Sequence, residues 1–157
     1  MRIVLTGGGS GGHLMPLVVV AKKIKEKSPE AEFLFLGPKG KLEDMIIGKA
    51  GIPAKHVISG KMRRYFSWKN FIDFFKIPLG FFQSLWALLV YMPDAIFSKG
   101  GYACLPVVLA GWLYRIPILI HESDSVIGLA NSMLGKFATR VAVSYPEAEK
   151  EFLASHV

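Results

Sequence analysis

A single cysteine, Cys104, occurs in 157 residues. It excludes a disulfide framework and suits a reducing compartment. Acidic residues are also scarce: 12 Asp and Glu stand against 19 Lys and Arg, giving a formal charge of +7. That imbalance favours an anionic partner, whether nucleic acid, a phosphorylated metabolite or anionic lipid. Charged residues are only 20% of the chain and apolar ones 52%. This is too apolar for a disordered chain, and slightly rich for a free-standing soluble domain. Part of the surface is therefore expected to be covered by a partner, a further domain or a membrane. Long hydrophobic runs are missing too. The longest nearly apolar stretch, IPLGFFQSLWALLVYM (77–92), is interrupted by Pro78, Gly80 and Gln83 and is short for a spanning helix. No signal peptide is expected ahead of the first strand, and the reading is a cytoplasmic protein.

What is present alternates. RIVLT (2–6), AEFLFLG (31–37), DAIFSKGGY (94–102), IPILIHESD (116–124) and the start of RVAVSYPEAEKEFLA (140–154) read as buried strands. GIPAKHVIS (51–59) leads into a further one. Between them, 13–27, 41–50, 103–115 and a segment near 127–137 read as helices, as does much of 81–92. Continuous apolar strands alternating with helices predict an α/β fold, a Rossmann-like parallel sheet with helices on both faces.

The first strand ends in TGGGSGGHLMP, with five glycines among the six residues Gly7–Gly12. Glycines admit close backbone approach, and a following helix N-terminus supplies N–H donors, which together suit a phosphate group. Gly7, Gly9 and Gly12 fit a G-x-G-x-x-G spacing. A dinucleotide site also needs an acid at the end of the second strand, and here that strand ends LFLGPKGK. A nicotinamide cofactor is therefore disfavoured. A P-loop is too, since no Gly-Lys-Ser/Thr follows. His13 stands where the first helix begins, beside unpaired amides and the positive end of the dipole. That setting keeps an imidazole neutral and fit to act as a general base; the plainer role is a cap or packing residue.

Strand C-termini in a parallel sheet open on one edge, where ligands bind. SKGGY (98–102) and HESDSVIGLAN (121–131) are predicted to share that edge with the glycine loop. Gly100 and Gly101 would admit a close ligand. Glu122 and Asp124 would accept hydrogen bonds from sugar hydroxyls, or Ser123, Asp124 or Ser125 would cap a helix ahead of Val126. A further segment interleaves Lys61, Arg63, Arg64, Lys69 and Lys76 with Tyr65, Phe66, Trp68, Phe71, Phe74 and Phe75. Basic charge beside aromatic side chains matches an interfacial membrane segment. Single-stranded nucleic acid uses similar residues, and a sheet-covering helix with a basic connector is the plain alternative.

The stretches TGGGSGGHLMP, GKMRRY, PDAIFSKGGYACLPVVLAG, IPILIHESDSVIGLAN and LGKFATRV resemble the N-terminal half of the bacterial MurG family of glycosyltransferases. Ser10 stands where the family often has threonine, and Ser123-Asp124 where many members have Gln-Asn. The resemblance implies a GT-B architecture, with residues 1–157 as one acceptor-binding domain and the donor domain absent from the chain. It implies transfer of N-acetylglucosamine from UDP-GlcNAc to undecaprenyl-pyrophosphoryl-MurNAc-pentapeptide (lipid I to lipid II), with inversion and without cofactor or metal. The isolated half would be inactive alone. His13 would be catalytic. Gly8, Gly9, Ser10, Gly11, Gly12, Gly100, Gly101, Tyr102, Glu122, Asp124 and Asn131 would bind substrate. Arg63, Arg64, Trp68, Lys69 and Phe75 would associate with the anionic inner membrane surface, making the protein peripheral on the cytoplasmic face, with no nucleic acid partner. The rival readings are a non-catalytic recruiting subunit of a split glycosyltransferase and, less favoured, a nicotinamide-dinucleotide domain.

Overall fold

A computed structural model describes residues 1–60 and 68–154, with backbone alone at 68–75, 153 and 154. Six strands form one parallel sheet: β1 (Arg2–Thr6), β2 (Glu32–Gly37), β3 (Ala54–His56), β4 (Ala95–Ser98), β5 (Ile118–Glu122) and β6 (Arg140–Val143). Their spatial order is β3-β2-β1-β4-β5-β6, every pair parallel. The order reverses between β1 and β4, which is the switch point where ligands bind in such sheets.

Alternation along each strand sorts its side chains to the two faces. Ile3, Leu5, Phe33, Phe35 and Phe97 face one side, where helices α1 (Gly11–Lys27) and α2 (Lys41–Lys49) cover them through Leu14, Leu17, Ala21 and Ile47. Val4, Leu34, Leu36, Ile96, Ile118 and Ile120 face the other side. There α3 (Trp68–Tyr91) and α4 (Leu105–Leu113) pack through Leu88, Val107, Val108 and Ala110. Gly111 brings α4 close to the sheet, since a Cβ there would overlap the Ile96 side chain. A small cluster of Ile127, Ala148 and Phe152 seats α6 (Pro146–Ala154) beside β6.

Three boundaries depart from expectation. The strand within 51–59 is only three residues long; it follows Pro53 at the sheet edge, and all three of its side chains are exposed. The strand expected over 94–102 stops at Ser98, because Gly100 (φ 92) and Gly101 (φ 83) turn the chain sharply into a 3₁₀ turn, Tyr102–Cys104. Two consecutive left-handed residues are tolerated there because both are glycine. The helix expected near 127–137 begins only at Leu129, running as α5 (Leu129–Leu134) into a second 3₁₀ turn. Its N-cap is Gly128, so Ser123, Asp124 and Ser125 cap nothing.

No described helix is long and apolar enough to cross a membrane. The outer face of α3 nevertheless exposes Leu79, Phe82, Trp86, Leu89 and Val90, with Phe82 and Trp86 each 67% exposed. Trp112 and Leu113 of the neighbouring α4 are also exposed.

Leu17 of α1 is fully buried, with its side chain close to Gly7 of the glycine loop. Leu17→Ala is expected to lower unfolding free energy by about 2–5 kcal/mol, through lost transfer energy plus a cavity. Urea denaturation checks this.

Candidate functional site

The glycine loop leaves β1 at the switch point and enters α1 at Gly11, with Ser10 as its N-cap. Ser10 makes no side-chain cap bond. The amides of Gly11 and Gly12 lie in the first helical turn, where no intrahelical acceptor exists for them. On its β2 side the loop is closed. Pro38 and Glu43 lie against Gly8, and the Gly9 N–H donates to Glu43 Oε1 at 2.9 Å. Glu43, from the first turn of α2, is 6% exposed. Its carboxylate takes up the Gly9 N–H, so that amide is not free for a ligand.

The other side of the loop faces β4 and β5. A pocket of about 260 Å³ opens there, lined among others by His13, Gly101, Tyr102, Glu122, Asp124 and Asn131. Gly9 lies under the Tyr102 hydroxyl; a Cβ at Gly9 (φ 85) would come within 2.9 Å of it. The His13 ring rests against Gly101, 3.5 Å from where a Cβ would stand. Gly100 is overlaid by the Asn131 amide, which a Cβ would overlap. The glycines at 9, 100 and 101 thus let three segments close on one another. Cys104 ties the second loop down: its Sγ donates to the Gly100 carbonyl at 2.9 Å, and burial pushes its thiol pKa up.

Glu122 organises the third segment. Its Oε1 accepts the N–H groups of Ser123 (2.9 Å) and Asp124 (3.1 Å). Its Oε2 accepts the Gly128 N–H (3.2 Å) and Asn131 Nδ2 (2.9 Å). The chain wraps this carboxylate before α5 starts, which explains the late helix. Burial alone would raise the Glu122 pKa. Hydrogen bonds from Asn131 and from the amides of Asp124 and Gly128, with the charge of Lys99, outweigh it and hold the carboxyl below its usual range. Glu122 is thereby ionised and saturated with donors, which suits holding the loop rather than touching a sugar.

His13 is half-buried in the first turn of α1. Burial, then the positive charge of Lys99, lower its pKa from 6.5, while Glu122 and Asp124 pull it back up. His13 Nδ1 and Asn131 Oδ1 are both buried and find no hydrogen-bond partner among the described residues. His13 is thus a ring held towards its neutral form, and Asn131 Oδ1 lies against Gly100. Asp124 stands exposed at the mouth. Among the described residues no cluster of His, Cys, Asp and Glu fits a metal ion.

All of the loop residues picked from sequence, Gly8 to His13, Gly100 to Tyr102, Glu122, Asp124 and Asn131, meet at this one edge of the sheet. Arg63 and Arg64 lie outside the described residues, as do the side chains of Trp68, Lys69 and Phe75. Sequence reasoning missed Glu43 and Lys99. Glu43 had a weak signal, an acid in a first helical turn just after Gly40, and Lys99 lay in plain view within SKGGY. A larger cavity, about 640 Å³, opens between Val18, Lys22, Phe33, Ile52 and Tyr91. It lies at the opposite end of the strands, away from all three loops.

The family model for the glycosyltransferase family 28 N-terminal domain matches residues 3–143. Among curated relatives, the UDP-N-acetylglucosamine–N-acetylmuramyl-(pentapeptide) pyrophosphoryl-undecaprenol N-acetylglucosamine transferase of Geobacillus thermodenitrificans is 42% identical over 150 residues, 95% of this chain and 42% of its own length. The protein of the same name from Borreliella burgdorferi is 40% identical over 96% of this chain and 42% of its length. This chain therefore spans about two-fifths of the relatives it matches. The crystal structure of Acinetobacter baumannii MurG superposes with a TM-score of 0.80 at 27% identity, over 93% of this chain and 42% of that one. Anabaena HepE, solved with UDP, shares the fold at a TM-score of 0.63 and 16% identity, over 99% of this chain and 40% of that one. The sheet order, the three loops and these matches agree: the chain belongs to glycosyltransferase family 28, of which it carries the N-terminal domain.

Proposed function

We propose that this chain is the acceptor half of an N-acetylglucosaminyltransferase acting on a lipid-linked muramyl pyrophosphate, the conversion of lipid I to lipid II. The observation that carries the reading is the meeting of His13, Gly101, Tyr102 and the Glu122–Asn131 loop in one pocket at the switch point, with the first glycine loop packed beside it. The amides of Gly11 and Gly12, at the positive end of α1, suit one phosphate of the acceptor. The Gly100–Tyr102 turn flanks the second. The Gly9 N–H is already given to Glu43, so Gly9 contributes by close approach rather than as a donor.

In the reaction, neutral His13 takes the proton from the muramyl 4-hydroxyl as that oxygen attacks the anomeric carbon of UDP-GlcNAc. The new C1–O4 bond forms opposite the breaking bond to the phosphate, UDP leaves, and the anomeric centre inverts. The donor nucleotide is held by a second domain, and this half has no turnover by itself.

The apolar stripe on α3 gives the domain a face for the membrane. Leu79, Phe82, Trp86 and Val90 recur at helical spacing on its outward side, next to Trp112 and Leu113. With a net charge of +7 on the chain, that face suits shallow seating on an anionic leaflet. The protein then works as a peripheral one on the cytoplasmic side, where its acceptor is anchored.

Two outcomes follow. In a two-domain protein joining this domain to a UDP-GlcNAc-binding domain, His13→Ala should lower kcat by about 10² or more. In the parent, the limb of kcat/KM set by His13 should lie below pH 6.5, because burial and Lys99 keep the ring neutral to lower pH. A near-normal rate in a folded His13→Ala protein would sink the assignment of the base. Replacing Phe82 and Trp86 together with serine should weaken sedimentation with phosphatidylglycerol vesicles and leave the thermal midpoint unchanged. Undiminished sedimentation would remove the membrane face.

A further inference from the structure

Lys99 is 1% exposed, and no other lysine or arginine of the described residues is buried. It is the first residue beyond β4, and its N–H donates to the Thr6 carbonyl at 3.0 Å, extending the β1–β4 pairing to the switch point. Its Nζ donates to Ser123 Oγ at 2.9 Å. Ser123 Oγ in turn lies 3.4 Å from Asp124 Oδ1. Among the described residues no carboxylate comes within 4.0 Å of the ammonium. A buried cation whose hydrogen bond goes to a neutral hydroxyl is costly to a fold, and an unbranched apolar side chain would fill the same space more cheaply.

What the lysine does provide is position. Its backbone is tied to Thr6 at the end of β1 and its amine to Ser123, in the loop whose Glu122 and Asp124 line the pocket. We propose that Lys99 is a positioning residue of the site: its buried side chain, hydrogen-bonded to Ser123, fixes the Ser123–Asp124 turn across the pocket and brings positive charge near His13 and Glu122. The groups facing His13 are then Lys99 from the end of β4, Tyr102 from the 3₁₀ turn, and Glu122 and Asp124 from the loop after β5. Lys99 is the one cation among them. It opposes the two carboxylates, which would otherwise draw a proton onto the imidazole. It also adds positive potential where an anionic acceptor is to bind. The role of His13 as base rests on the acceptor-site reading; the placement of the charge does not.

The test uses this chain as it stands. Carbon-13-labelled histidine, followed by NMR from pH 4 to 8, gives the His13 midpoint. In Lys99→Met the His13 midpoint should rise by about half a unit or more, as loss of a nearby like charge requires. The thermal midpoint should stay level or rise, since a buried charge has been removed. Lys99→Arg should keep the His13 midpoint near that of the parent. Ser123→Ala removes the hydrogen-bond partner but leaves the charge. It should speed amide hydrogen exchange over residues 123–128 while leaving the His13 midpoint in place. An unmoved His13 in folded Lys99→Met overturns the electrostatic role, and unchanged exchange in Ser123→Ala overturns the positional one. A Lys99→Met chain that does not fold makes the lysine a packing residue and also overturns the proposal. In the two-domain protein, Lys99→Met should cost tenfold or more in kcat/KM for the lipid acceptor, with KM for UDP-GlcNAc unaltered. If instead His13→Ala is fully active while the NMR shift stands, the acceptor-site reading has failed and the charge placement has not.

Discussion

The Glu122 carboxylate is the point on which the site depends. It receives four N–H donors from Ser123, Asp124, Gly128 and Asn131. An ionised carboxylate with such partners is strongly held, and each bond is worth more than its neutral counterpart. One side chain at the end of β5 thereby shapes the loop that follows, delays α5 and presses Asn131 onto Gly100. Gly100 and Gly101, thus placed, leave room for His13. The acid does its work by geometry and by its charge, and its hydrogen-bonding capacity is spent before any ligand arrives.

A second constraint is electrostatic balance around His13. Two carboxylates, Glu122 and Asp124, favour its protonation; burial and Lys99 oppose it. For the pyrophosphate acceptor proposed above, a protonated imidazole would be an attractive counter-ion but no base. In the role proposed for it, the buried lysine supplies that positive charge in place of the imidazole. The same reasoning accounts for an ammonium placed where packing alone would prefer a hydrocarbon. The glycine loop shows the converse arrangement on its β2 side, where Glu43 takes the Gly9 amide and closes that flank. The open flank is left facing the pocket.

Much of this was legible in the sequence. Strand–helix alternation gave the parallel sheet, and the rule that ligands bind at strand C-termini placed three separated loops together. The missed features share a physical cause. The Gly9–Glu43 and Lys99–Ser123 bonds join residues 34 and 24 positions apart, and neither pattern nor propensity encodes such pairings. Lys99 was passed over because a lysine beside two glycines reads as a solvated loop residue. The late start of α5 was hidden for a similar reason. Capping residues at 123–125 signal a helix locally, but the Glu122 carboxylate competes for that backbone and wins. The short β3 reflects a sheet edge, where no neighbour rewards further pairing.

The central claim, that this edge of the sheet holds a lipid pyrophosphate with its sugar hydroxyl at His13, is tested most directly by a crystal structure of the chain with a short-chain, water-soluble lipid I analogue. The account predicts the pyrophosphate against the amides of Gly11, Gly12 and the Gly100–Tyr102 turn, with the muramyl 4-hydroxyl within about 3 Å of a His13 ring nitrogen. An analogue bound elsewhere, or bound here with its 4-hydroxyl turned away from His13, would contradict it.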